Sequence, residues 1–205
     1  MSCKFSIKTF DELTSVDVYQ ILKARAQVFI VEQNCAYQDM DDVDFDCLHL
    51  IAHQDEKLIG YCRIIPPEFN TLRSNLVSDN RASSANSAMS AIGRVLVLPD
   101  YRRQGLARQI MLEAISYCRK KYGKKRPIII SAQTYLLRFY ESLGFVPEGE
   151  PYLHDNIEHI KMVLAVSKKV KVKQQGDSSP ATKILGGLLF ILAALFILGL
   201  LYLMI

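Results

Sequence analysis

The chain has 205 residues, half of them hydrophobic, and a formal net charge of +4. That length suits one domain with additions. Residues 1–165 hold 20 Lys+Arg against 20 Asp+Glu, which argues against a nucleic-acid-binding domain, since such a domain carries its own basic excess.

Residues 3–9 alternate enough to form a first strand. Asp11, Thr14 and Ser15 are candidate caps for a helix. Val18, Ile21, Leu22, Arg25, Val28 and Phe29 recur at helical spacing, so 16–31 is that helix. Residues 39–46 pack five acids into eight positions and read as a loop, either simply solvated or attractive to a cation. Residues 48–52 and 58–64 are β-rich runs forming a hairpin around 54–57. Residues 68–90 are polar and aperiodic, longer than an ordinary loop, and read as a mobile insertion or as a lid. Residues 91–98 form a strand closed by Pro99. Leu106, Ile110, Met111, Ala114, Ile115 and Cys118 make 105–122 an amphipathic helix. Residues 127–131 are a buried-type strand. Residues 134–143 are a helix stopped by Gly144, and 145–146 and 159–166 supply the last strands. The order β-α-β-β-β-α-β-α-β-β describes an α/β (α+β) mixed sheet with helices on its faces.

Beyond this domain (1–166) the composition changes. Residues 167–183 hold Gly176, Pro180 and five lysines and read as a basic flexible linker. Its 17 residues reach roughly 20–25 Å as a coil. Residues 184–205 carry no charge, and 19 of these 22 are hydrophobic. A helix of that length is about 33 Å long, enough for a ~30 Å hydrocarbon core. The expectation is a single transmembrane helix of tail-anchor type, with the flanking lysines holding the preceding domain in the cytoplasm. Five cysteines without a C-x-x-C are expected to be free thiols there. Cys47, His49 and His53 share a strand face, but a metal is not expected.

The chemistry concentrates in Ile92 to Ala107. A strand ends at Pro99, a basic turn comes next, and Gly105 and Ala107 open a helix. Unpaired N–H groups and a partial positive charge at a helix start suit a pyrophosphate. A small residue at each position lets the phosphate approach, and Arg102, Arg103 and Arg108 add attraction. Neither G-x-G-x-x-G nor G-x-x-x-x-G-K-[ST] is present, which disfavours Rossmann and P-loop sites.

Arg102-x-x-Gly105-x-Ala107 after a strand resembles the acyl-CoA signature of the GNAT N-acetyltransferases. The segment Phe139-Tyr140-Glu141-Ser142-Leu143-Gly144-Phe145 is similar to that family's second hallmark. Residues 25–33, 132–136 and 155–160 narrow the resemblance to the ElaA-like branch. His154 stands where that branch usually has an acid, and Asn156 where it has Gly.

The resemblance implies a GNAT fold with acetyl-CoA as co-substrate between the strands at 91–98 and 127–131. Val95, Leu96 and Val97 would face pantetheine with their backbone. Arg102, Arg103, Gln104, Gly105, Leu106 and Ala107 would hold the pyrophosphate. A primary amine, on a small molecule or a protein, would attack the thioester directly. Tyr140 would protonate the departing thiolate. Glu32, His159 and the acids of 39–46 are candidates for the base. Two other readings stay open: a catalytically silent CoA-binding adaptor at a membrane, and an acyl-CoA-dependent synthase on the same fold.

Overall fold

The computed structural model describes residues 3–69 and 89–165. The linker at 167–183, the apolar run at 184–205 and most of the 68–90 stretch lie outside the described residues. Among the described residues no helix is long and apolar enough to cross a membrane.

Eight strands form one mixed sheet. They are β1 (Lys4–Thr9), β2 (Leu48–Gln54), β3 (Lys57–Ile65), β4 (Ser90–Val97), β5 (Ile128–Gln133), β6 (Val146–Pro147), β7 (Tyr152–His154) and β8 (Ile157–Leu164). Their order across the sheet is β1-β2-β3-β4-β5-β8-β6, with β7 also paired to β8. All pairs are antiparallel except β4–β5.

Helices cover both faces. On one face α1 (Ser15–Arg25) places Ile21 and Ala24 against Ile51, Tyr61 and Leu96. On the other, α2 (Leu106–Tyr122) buries all six of its expected apolar positions, Leu106, Ile110, Met111, Ala114, Ile115 and Cys118. Each large apolar side chain among them contributes roughly 1.5–3 kcal/mol when taken fully from water. Gly60 of β3 permits this packing, because a Cβ there would lie 2.6 Å from the Ile110 side chain and 3.2 Å from the Leu96 carbonyl oxygen.

Local signals set the element ends. Thr14 caps α1 in a reciprocal box with Asp17, whose N–H donates to Thr14 Oγ1 at 3.1 Å while Thr14 N–H donates to the Asp17 carboxylate at 2.9 Å. The short α3 (Leu137–Glu141) comes directly after a 3₁₀ turn over Thr134–Leu136. It stops at Gly144, whose φ of +92° few other residues adopt.

Three features differ from the expectation. The first helix does not run uniformly to 31: α1 ends at Arg25 and continues as π-helical turns over Ala26–Glu32. The last strand begins at Ile157 rather than 159, because β7 and β8 form a hairpin absent from the expected order. Asp155 (φ +49°) and Asn156 (φ +62°) make its two-residue turn, the geometry of a primed hairpin turn. The acidic stretch is not a solvated loop, since Asp39 and Asp44 are buried.

Candidate active site

The cleft arises where two parallel strands part. β4 pairs with β3 from Ile65↔Ala91 to Gly60↔Val97. It meets β5 only at Ser90↔Ile128 and Ala91↔Ile129. Beyond that point β5 pairs with β8 alone among the described strands, so β4 presents an open edge. A cavity of about 470 Å³ opens between them, walled by Gly93, Val95, Ile130, Gln133, Tyr140 and His159 among others. That volume suits a small-molecule site.

A bulge turns the open edge. Arg63 pairs with Gly93 but Tyr61 pairs with Leu96, so Arg94 and Val95 oppose one residue of β3. Arg94 takes φ +54°, a costly conformation for a side-chain-bearing residue. Its guanidinium is anchored in return, with Nε donating to Asp39 at 2.7 Å and a terminal nitrogen to the Asp39 carbonyl at 3.1 Å.

β4 then leads through a 3₁₀ turn at Pro99–Tyr101 to the start of α2. Arg103 (φ +60°) and Gly105 (φ +77°) are both left-handed here. A Cβ on Gly105 would meet nothing within 4 Å, so backbone conformation and an open approach, rather than protein packing, select glycine. No side chain caps α2, and its first turn holds no acid. Its leading N–H groups therefore face the approach uncompensated.

The three arginines of this turn behave differently. Arg102 turns inward, its Nε donating to the Val97 carbonyl at 2.9 Å and its terminal nitrogens to both Glu32 oxygens at 2.6 and 2.8 Å. Arg108 donates to Ser142 Oγ at 2.9 Å and ties α2 to the end of α3. Arg103 stays exposed, as does Gln104.

Tyr140 is buried at the cavity wall, packed edge-on against Phe139 and Phe145. Burial pushes its phenol well above the usual value, so it is protonated at neutral pH. His159, on β8, also lines the cavity. Its Nδ1 lies 2.9 Å from the Ile157 carbonyl oxygen, which can only accept. Nδ1 therefore carries the proton and Nε2 presents a lone pair. Its ring stacks on Tyr152 and meets His154 edge-on. Burial lowers the imidazole pKa from its ordinary value, the Ile157 hydrogen bond opposing this only in part.

The family model described as "Acetyltransferase (GNAT) domain" matches residues 12–166. This chain belongs to the GNAT acetyltransferase family. A UPF0039 protein of Schizosaccharomyces pombe is 34% identical over 162 residues, 78% of this chain and 96% of its own. Protein ElaA of Escherichia coli is 34% identical over 157 residues, 76% of this chain and 92% of its own. The crystal structure of an acyl-CoA N-acyltransferase from Pseudomonas aeruginosa superposes with a TM-score of 0.68 at 34% identity, covering 80% of this chain and all of that one.

Within this GNAT domain the expected site residues separate into groups. Tyr140, His159 and Val95 share the cavity. Leu96 points instead into the α1-side core, and Leu106 into the α2-side core, so only their backbone is available to a ligand. The Val97 carbonyl is taken by Arg102. Ala107 is half-buried against the core. Of the three guanidiniums expected to attract the phosphate, Arg102 is charge-paired with Glu32, whereas Arg103 is exposed and Arg108 is exposed and donates to the uncharged Ser142. Glu32 does not line the cavity, and both its oxygens are engaged by Arg102.

Three of the five acids of 39–46 are likewise occupied. Arg25 donates to Asp39 at 2.7 Å and to both Asp44 oxygens at 2.8 Å, and Arg63 donates to Asp41 at 2.7 and 2.9 Å. His49 is held by Tyr61 and the Asp44 carbonyl at both ring nitrogens. Among the described residues no group of three side chains is arranged to hold a metal, and all five cysteines are free.

Sequence reasoning missed two wall elements. Gln33 and Gln133 exchange reciprocal amide hydrogen bonds at 3.1 and 3.4 Å across the cavity wall. Both fall in stretches that carried the family resemblance, which was their only sequence signal. The β7–β8 hairpin brings Tyr152, His154 and Asp155 to the cavity, and the Asp155-Asn156 dipeptide was the signal for it.

Proposed function

We propose that this GNAT domain transfers an acetyl group from acetyl-CoA to a primary amine by direct attack. The observation that carries the reading is the shared cavity of Tyr140 and His159 at the β4–β5 split. An acid held protonated and a base held neutral line one space of substrate size.

The residues fit the co-substrate: an open strand edge for an amide-bearing arm, an uncapped α2 start for a pyrophosphate, and room beside Gly105. Acetyl-CoA supplies the activated thioester. His159 Nε2 takes a proton from the incoming amine, which must be neutral to attack. A new N–C bond forms as the C–S bond breaks, the Tyr140 hydroxyl gives its proton to the departing sulfur, and the extra proton on the acylated nitrogen returns to the Tyr140 oxygen. A backbone N–H on the bulged edge near Val95 supports the developing oxyanion.

Of the base candidates, His159 is favoured over Glu32 because it faces the cavity with a free lone pair. The test is CoA-thiol release by the full chain against a panel of amines and peptides. Acetyl-CoA binding without thiol release from any amine would favour the silent adaptor.

We further propose that residues 184–205 anchor the domain in a membrane, with the lysines of 167–183 at its cytoplasmic surface. The uncharged apolar run and the adjacent lysines support this. Release of the full chain by alkaline carbonate would overturn it.

A further inference from the structure

Arg63 and Arg94 both line the cavity, and neither has a role in the acetyl-transfer step. Their counter-charges stand behind them. Asp39, Asp41 and Asp44 pair with these guanidiniums, yet none of the three is part of the cavity wall. Among the described wall residues the formal cations are Arg63, Arg94 and Lys161, the last paired to Glu148 at 3.0 Å, against Asp155. The wall therefore shows the positive side of a charge-balanced network.

One buried donor of a wall residue is unspent. The Arg63 side chain is 3% exposed, and its Nε–H meets no hydrogen-bond acceptor. An orphaned guanidinium N–H in a buried site costs free energy unless something fills it. Arg94 is held next to it in register, since Arg63 pairs with the neighbouring Gly93. The strained φ of Arg94 is the kind of backbone cost that clusters at ligand sites.

We propose that Arg63 and Arg94 form the acceptor-recognition subsite of this cavity and receive a carboxylate carried by the amine substrate. The substrate class is then an amino acid or other amino-carboxylate. Diamines and polyamines are disfavoured, because their second cation would meet guanidiniums rather than the aspartates behind them. The proposal rests on the acetyltransferase reading for the fate of the amine, but not for the binding of the carboxylate.

The test compares matched probes on the full chain in detergent with acetyl-CoA. One series runs from β-alanine through 4-aminobutyrate to 6-aminohexanoate; its counterparts are the alkylamines of equal length and putrescine. The expected result is a kcat/KM about 10- to 100-fold higher for at least one amino-carboxylate than for its alkylamine, as charge-assisted hydrogen bonds allow. Calorimetry on the same pairs, with CoA bound, reads affinity independently of transfer. Arg63→Lys keeps the charge but removes Nε–H, and it should bring the ratio within each pair toward one. If that variant fails to fold, the wild-type ratios still decide. Acetylation of alkylamines with no carboxylate advantage overturns the subsite and leaves the acetyltransferase reading standing. Tighter amino-carboxylate binding without any thiol release does the reverse. Equal affinities and no transfer overturn both.

Discussion

Arg102 and Glu32, seventy positions apart in the chain, meet in a two-pronged ion pair at 2.6 and 2.8 Å. The same guanidinium holds the Val97 carbonyl at 2.9 Å. The pair thus fastens the end of the π-helical turns to the end of β4, just where the chain enters the basic turn before α2. In the proposed acetyl transfer, Glu32 would act on the cofactor side through Arg102 rather than on the amine. Glu32→Gln should raise KM for acetyl-CoA about 3- to 10-fold, the scale of one weakened charge-assisted bond. The shape of the pH–rate profile should not change. Loss of the acid limb in that variant would restore Glu32 as the base.

His159 should set that acid limb instead. Burial places its imidazole pKa below the ordinary ~6.5, so the neutral base predominates at pH 7. As pH falls through the lowered value, Nε2 becomes protonated and turnover drops. His159→Gln should reduce kcat about 10²- to 10⁴-fold and abolish this limb. A variant retaining the wild-type profile would remove His159 from the chemistry.

Tyr140 offers a cleaner separation of stability from catalysis. Among the described residues no hydrogen bond engages its hydroxyl, while its ring packs on Phe139 and Phe145. Deleting an unpartnered hydroxyl leaves the packing intact and strands no other group. Tyr140→Phe should therefore keep Tm and acetyl-CoA affinity close to wild type and lower kcat at least about tenfold, the low end of what a proton donor supplies. Unchanged turnover would leave Tyr140 a packing residue only.

The route from β4 through the basic turn to α2 was legible in the sequence because each step has a local cause. Pro99 stops a strand, Gly105 permits a left-handed turn, and six apolar residues at helical spacing define the buried face of α2. The cleft between β4 and β5 was implied by the family resemblance alone, not by any pattern in the residues. It depends on β4 leaving β5 after Ala91, and on a bulge that places Arg94 at positive φ, neither of which has a periodic signature. The β7 strand escaped because Tyr152, Leu153 and His154 are all exposed and show no alternation of burial. The pairing of Arg102 with Glu32, and of Arg25 and Arg63 with the aspartates, joins residues many positions apart. A charge run read alone looks solvated, and only tertiary placement shows which charges are already spent.

Arg25 carries the network that positions this wall. It is fully buried, and its three nitrogens serve the Asp39 carboxylate, the Asp39 carbonyl and both Asp44 oxygens. Removing one member of a buried ion pair leaves uncompensated charge, a loss of about 3–5 kcal/mol. Arg25→Met should be destabilised by that order at pH 7 in a denaturant titration. The acid side of the stability curve gives a second readout. Burial alone would raise the Asp39 carboxyl, but Arg25 and its other partners outweigh this and hold it below the ordinary value. A depressed carboxylate contributes stability that is fully present above the unfolded pKa of about 3.9 and is lost as pH falls through the folded value. The gap between wild type and Arg25→Met should therefore narrow below pH ~4. A constant gap across that range would mean that Arg25 stabilises the fold by packing rather than by charge.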